Sequence, residues 1–333
     1  MLSRVAYSLY WMARYVERVE NLCRFLQVAE AMALDAGSRA DDIWLPLVDA
    51  CGDRALFDAG GRGSSPEAVA DFLLQSPHNP SAIRSCISLA RENARQIREV
   101  ITTEMWEQLN TIYLRLQEEG ELRSLPSHGW LGQLRRDCQL FFGITDSTLS
   151  RNKGWQFSRI GRLIERADKT ARILDVKYFL ILPRQEAVGG MLDQLQWISL
   201  LRTAGAYQMF RQNTRKAISP TGVAGFLLLD EHFPRSVCYC LNGIAAAVDY
   251  LTDQRSDRDV ELGRFLALLR SRWCTSRFED LISQGLHESI DSLQAGLNTL
   301  HCHIEARFFT TAAIPRKGAV PAKAETIQRQ GVA

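Results

Sequence analysis

The residues with the most chemical content are Arg14-x-x-Glu17-Arg18 and, 148 positions later, Arg162-x-x-Glu165-Arg166. On a helix, positions i, i+3 and i+4 share a face, so each group sets two guanidinium groups one turn apart with a carboxylate beside them. Such arginines repel each other weakly on a solvated helix. The chain nevertheless holds the arrangement twice while most neighbouring residues differ. Something must neutralise it. One neutraliser is internal: an Arg/Glu network between helices, with Glu92, Glu99, Glu104 or Glu107 supplying the carboxylates. The other is an anionic ligand gripped by the arginines, with Glu17 or Glu165 orienting them or acting as base. A general base works best with a pKa near the operating pH, whereas arginines push a glutamate's pKa down, which weighs against a catalytic Glu17 or Glu165.

The remaining candidates carry less. Glu20 and Arg24, like Asp168 and Arg172, are acid-before-base pairs at i,i+4 and read as solvated helix pairs. Arg91, Glu92 and Arg95 form a second charged group, and Trp11, Trp106, Glu107 and Asn110 could line a pocket, although core packing explains the tryptophans as well. His78 and His232 each precede a proline by two residues, as loop or capping histidines do. His301 and Glu305 share a helical face, but two ligands do not make a zinc site, so no metal is expected. The glycines of Gly60-Gly61-Arg62-Gly63-Ser64-Ser65 follow no strand and lack the Gly-Lys-Ser/Thr ending of a phosphate loop. No Gly-x-Ser-x-Gly elbow occurs and no cofactor motif is present.

The elements that position these residues recur. Residues 14–28 and 162–176 share six of fifteen positions, and residues 65–80 and 219–234 share nine of sixteen, at offsets of 148 and 154. Trp44, Leu47 and Gly52 match Trp197, Leu200 and Gly205 at an offset of 153. The order and spacing predict a tandem duplication of a unit of about 150 residues, with a first repeat over 1–150, a second over 151–313 and a disordered Pro/Ala-rich tail over 314–333. An apolar stripe from Leu2 through Val5, Leu9, Met12, Val16, Val19 and Cys23 to Leu26 predicts one helix over residues 2 to 35. Its counterpart runs from Phe157 to beyond Leu174. Ser65-Pro66 and Ser219-Pro220 open short helices, serine capping and proline at the first helical position. Long helices are expected from Ser81 to Glu118 and from Ser236, others near 128–150, 259–275 and 278–309, and a flexible loop over 53–65. No segment alternates as a strand, so the fold class is an all-α helical bundle.

Forty basic and thirty-eight acidic residues leave a formal charge of +2, which excludes a general electrostatic case for nucleic acid. No apolar run is long enough to span a membrane, and no secretory leader precedes Leu2, so a cytoplasmic protein is expected. The eight cysteines are scattered without a CxxC pair and are expected as free thiols.

Met1-Leu-Ser-Arg-Val-Ala-Tyr-Ser-Leu-Tyr-Trp-Met-Ala-Arg14-Tyr-Val-Glu17-Arg18-Val-Glu20-Asn21, together with Ala90-Arg-Glu-Asn-Ala-Arg95, Trp106-Glu-Gln-Leu-Asn110 and Phe233-Pro-Arg-Ser236, resembles the bacterial alpha-E family from residue 1 to about 313. The resemblance implies an all-helical protein with a helix-borne glutamate at Glu17, echoed by Glu165. It also implies partnership with a circularly permuted ATP-grasp protein resembling amide ligases and with a transglutaminase-like protein, in making or modifying a peptide-like product. The expected function is an accessory or substrate-binding subunit that presents a peptide or an anionic small molecule along the Arg/Glu face. The alternatives are an enzyme using that face on a carboxylate- or phosphate-bearing substrate, and a structural scaffold. An exposed apolar helical face would also support homo-oligomerisation.

Overall fold

The stripe of Leu9, Met12, Val16, Val19, Cys23 and Leu26 is buried along one face of α1 (Ser3–Ala36). The computed structural model describes residues 1–36, 41–61, 63–120, 126–180, 191–213, 218–252, 256–275, 277–283 and 285–309. After α1 come α2 (Asp41–Cys51), α3 (Arg54–Ala59), α4 (Pro66–Leu74), α5 (Ile83–Gln96), α6 (Thr103–Glu118) and α7 (His128–Thr148). The second half runs α8 (Lys153–Leu180), α9 (Met191–Thr203), α10 (Tyr207–Asn213), α11 (Pro220–Leu229), α12 (Val237–Leu251), α13 (Asp257–Cys274), α14 (Phe278–Ser283) and α15 (Leu286–Ile304), extended by a π-helical turn at Glu305–Phe309. No strand occurs among the described residues, and the fold is all-α. The tail expected over 314–333 lies outside the described residues.

Helices α1 and α8 form the central pair and bury their stripes against each other. Their approach is set at Gly161, where any Cβ would overlap the backbone of Tyr10. Helices α5 and α7 cover α1, and α12 and α15 cover α8. The short helices cross over: α2 packs chiefly on α8, and α9 leans on α1. Both end at a glycine with positive φ, Gly52 at 78° and Gly205 at 64°. There the amides of Asp53 and Ala206 reach back to the carbonyls of Val48 and Leu201, at 3.2 and 2.7 Å, as left-handed helix ends do. Each glycine also leaves room for a guanidinium from the opposite half, Arg172 against Gly52 and Arg24 against Gly205.

The expected caps form: Ser65 accepts from the amide of Ala68 at 3.2 Å, Ser219 from Gly222 at 3.1 Å and Ser236 from Tyr239 at 3.1 Å. Three expected elements are revised. The helix expected over 81–118 is two helices, because the β-branched run Val100 to Thr103 weakens helical continuity and Thr102 caps α6 by accepting from Met105 at 3.4 Å. The break buries Ile97 and Ile101. Part of the loop expected over 53–65 is α3, anchored by Phe57 edge-on to Phe72 with ring centroids 5.1 Å apart. The helix expected over 278–309 is interrupted at Gly285, whose φ of 87° ends one helical run before the next begins.

Candidate functional site: carboxylates exchanged between the central helices

Neighbouring positions on a helix point about 100° apart, so Glu17 cannot grip Arg18, nor Glu165 grip Arg166. Each glutamate bonds the other helix's arginine instead. The Nε and Nη2 of Arg18 donate to Glu165 at 2.6 and 3.0 Å, and the Nε and Nη2 of Arg166 donate to Glu17 at 2.9 and 2.8 Å. Both pairs are bidentate, which fixes orientation as well as distance. Arg14 adds a third bond to Glu165 at 3.0 Å, and Arg235, at the start of α12, donates to Glu17 at 3.0 Å. Both glutamates are 0% exposed. Burial raises the Glu165 carboxyl's pKa, but Arg18 and Arg14 more than reverse this and hold it well below the usual carboxylate range.

The neutralising charges therefore come from the repeated motif itself, not from Glu92, Glu99, Glu104 or Glu107. Glu92 pairs with Arg95 on the solvated side of α5, where Arg95 is 59% exposed. Glu107 is exposed. Arg91 donates to Asn110 at 2.7 Å and lies over the rings of Trp106 and Tyr113, which ties α5 to α6. Arg91, Glu92, Arg95, Trp106, Glu107 and Asn110 thus stand apart from the paired glutamates. Trp11 belongs with them, its ring 4.8 Å from the Arg14 guanidinium. Arg162 does not mirror Arg14: it pairs with Asp146 at 3.2 Å, and Arg235 occupies the corresponding place on Glu17.

The outer pairs also depart from the solvated reading. Glu20 is buried and accepts from Arg24 at 2.8 Å, Arg235 at 2.6 Å and Gln139 at 3.0 Å. Arg172 donates to Asp168 at 3.0 Å, and the buried Lys169 ammonium lies 3.4 Å from Asp168 and 3.2 Å from the Cys51 carbonyl. Local spacing is the same for a solvated pair and a buried one; the packing of α2 and α12 over the central helices makes the difference. Burial raises the Glu20 carboxyl's pKa, and Arg235, then Arg24 and Arg166, bring it down to about 2. A carboxyl with a depressed folded pKa contributes stability that is fully present above its unfolded value and is lost as pH falls through the folded one. The melting temperature is expected to fall between pH 4.5 and about 2, and Glu20→Gln to flatten part of that slope. A variant with the wild-type slope would exclude Glu20 from the network.

At the outer edge, the Arg14 guanidinium donates to the Tyr10 hydroxyl at 3.1 Å, and that hydroxyl meets Nδ1 of His301 at 2.9 Å. Burial, with Arg14 next, pushes the His301 pKa down to about 4, so the imidazole is neutral at pH 7. His301 is therefore part of an aromatic and hydrogen-bonded chain, not of a histidine metal pair. Asp175, His287 and Asp291 bring three ligand atoms within 4.8 Å of one another. Both ring nitrogens of His287 face a carboxylate, Asp175 at 2.7 Å and Asp291 at 3.5 Å, an arrangement that a protonated imidazole satisfies by itself. The cysteines are free.

Sequence reasoning missed Arg235 and Tyr10 as members of the network. Arg235 donates to Asn21 at 2.9 Å as well as to Glu17 and Glu20. Its only sequence signal was its place in Phe233-Pro-Arg-Ser236.

Glu17-Arg18 and Glu165-Arg166 are the two Glu-Arg dipeptides of the sequence. A family model described as a predicted alpha-helical domain with a conserved ER motif matches residues 1–309. The chain belongs to the Alpha-E family. Its curated relatives include an uncharacterized protein of Mycobacterium bovis, 23% identical over 321 residues, and an uncharacterized protein of Mycobacterium tuberculosis at the same identity. Each match covers 89% of this chain and 35% of the relative, so the Alpha-E chain spans about a third of the length of these relatives. No solved structure matches it. Among its described residues, no helix is long and apolar enough to cross a membrane.

Proposed function

We propose that this Alpha-E chain is an accessory, substrate-presenting subunit of a cytoplasmic amide-ligase-type system that makes or modifies a peptide-like product. In this reading its partners are a circularly permuted ATP-grasp protein and a transglutaminase-like protein. The observation that carries the non-catalytic role is the exchange of bidentate ion pairs between Glu17 and Arg166 and between Glu165 and Arg18. Carboxylates held in this way clamp two helices, and their oxygens are already taken by guanidinium donors. That also disfavours an enzyme built on Glu17 or Glu165. The partnership rests on the family resemblance, and the mycobacterial relatives fit it, since an Alpha-E segment there occupies about a third of a longer chain.

A duplicated origin for the two halves is part of the same proposal. It is supported by the repeated sequence, by the exchanged Glu/Arg pairs, and by Arg24 on Gly205 and Arg172 on Gly52. Duplicated amphipathic units bury their stripes against one another most simply about a twofold axis.

Titration calorimetry of the purified chain against a permuted ATP-grasp protein, with an ATPase assay on each protein alone, tests the partnership. Binding at about ten micromolar or tighter, with no ATP turnover by this chain, is the expected result. No heat of binding at that concentration, or turnover by this chain alone, would overturn the reading.

A further inference from the structure

Two of the eight cysteines face each other across the contact of α12 with α13. There the Nε of Arg270 donates to the Asn242 side-chain oxygen at 3.0 Å. Cys238 stands one turn before Asn242 on α12, and Cys274 one turn after Arg270 on α13. In an antiparallel pair those two positions meet, and the Cys274 thiol indeed donates to the Cys238 carbonyl at 3.7 Å. The Asn242 amide nitrogen, oriented by Arg270, donates to the Cys238 sulfur at 3.5 Å.

Cys238 sits where a thiolate is favoured. It lies in the first turn of the 15-residue α12, which Ser236 caps, so the positive end of the helix dipole acts on its sulfur. The hydrogen bond from the Cys274 thiol, with Arg270 and Asn242 adding to it, holds the Cys238 thiol below its ordinary value against burial. Other buried cysteines go the opposite way. Burial pushes Cys51, Cys86 and Cys240 up to about 12 and raises Cys23 and Cys138 as well, which leaves them inert. Cys238 itself is enclosed, whereas Cys274 is half-buried and ends α13, where a helix frays. A molecule as small as a peroxide reaches the pair through that last turn.

We propose that Cys238 and Cys274 are an oxidation site, converted by hydrogen peroxide into an intramolecular disulfide between α12 and α13. The Cys238 thiolate attacks one peroxide oxygen, so that an S–O bond forms as the O–O bond breaks. The departing hydroxide takes up the proton that Cys238 released and leaves as water. The Cys274 sulfur then attacks the sulfur of the Cys238 sulfenic acid. The S–S bond forms, the S–O bond breaks, and the second hydroxide leaves as water with the Cys274 proton. Two thiols are oxidised to one disulfide, and one peroxide is reduced to two waters. The bond ties the end of α13 to the turn that follows Arg235, the residue that grips Glu17 and Glu20.

The test is treatment of the reduced full chain with hydrogen peroxide, followed by a thiol count in denaturant and a peptide map without reductant. Two of the eight thiols should disappear and return with a thiol reductant. The peptides carrying Cys238 and Cys274 should appear as one linked species, lighter by two hydrogen atoms than their sum. Cys274→Ser should form no such link and should leave a sulfenic acid at Cys238 that dimedone traps. Retention of all eight thiols, a link that joins other cysteines, oxygen added only at the exposed Cys302, or a Cys274→Ser chain that still loses two thiols would each overturn the proposal.

Discussion

Glu165→Ala is expected to lose about 3 to 5 kcal/mol of folding stability, because it strands two guanidinium groups in the helix interface with no carboxylate. Arg14 and Arg18 are only 11% and 16% exposed, so water cannot replace the lost partner fully. Urea unfolding should show a lower midpoint with an unchanged slope. Glu17→Ala should behave similarly, since it strands Arg166 and one bond of Arg235. The cost belongs to the unpaired charges and not to the pair itself, so replacing Arg14, Arg18 and Glu165 together by apolar residues of similar size should cost much less than removing Glu165 alone. A Glu165→Ala protein as stable as wild type, but inactive with its partners, would assign the motif to ligand binding. A variant normal in both respects would remove the motif from any role.

Gly161→Leu should prevent folding, and Gly161→Ala should cost several kcal/mol, on the order of the worst overpacked cores. The atoms that a Cβ meets at Gly161 belong to the Tyr10 backbone, which cannot move without separating α1 from α8 along their whole length. Gly243 is the contrast. A Cβ there overlaps the Cδ1 tip of Leu163, which can rotate away, and meets the Arg159 guanidinium at ordinary contact distance, so Gly243→Ala should cost about 1 kcal/mol or less. Comparing the circular dichroism melts of the two alanine variants checks both. Equal melting temperatures would mean that the central pair tolerates separation and is not what holds the halves together.

Much of this protein follows from its order of residues. The stripe from Val5 to Leu26 specifies α1 because helix periodicity is local, and Ser65, Ser219 and Ser236 cap their helices because a serine oxygen reaches an amide only three residues on. The repulsion between Arg14 and Arg18 was legible for the same reason, and with it the need for a neutralising charge. Which charge answers could not be read. Glu165 lies 147 residues from Arg18 and Arg235 lies 218 from Glu17, and distances of that kind exist only once α8 and α12 are packed on α1. Glu20 with Arg24 and Asp168 with Arg172 at i,i+4, and Glu92 with Arg95 at i,i+3, are all local acid-before-base helix pairs, yet the first two are enclosed between helices and the third faces solvent. The chain by itself determined the helices, their caps and the unfavourable arginine pairs, all set by interactions within one or two turns. The tertiary structure alone decided the exchange of glutamates between α1 and α8, because burial and long-range pairing arise only when one helix displaces water from another.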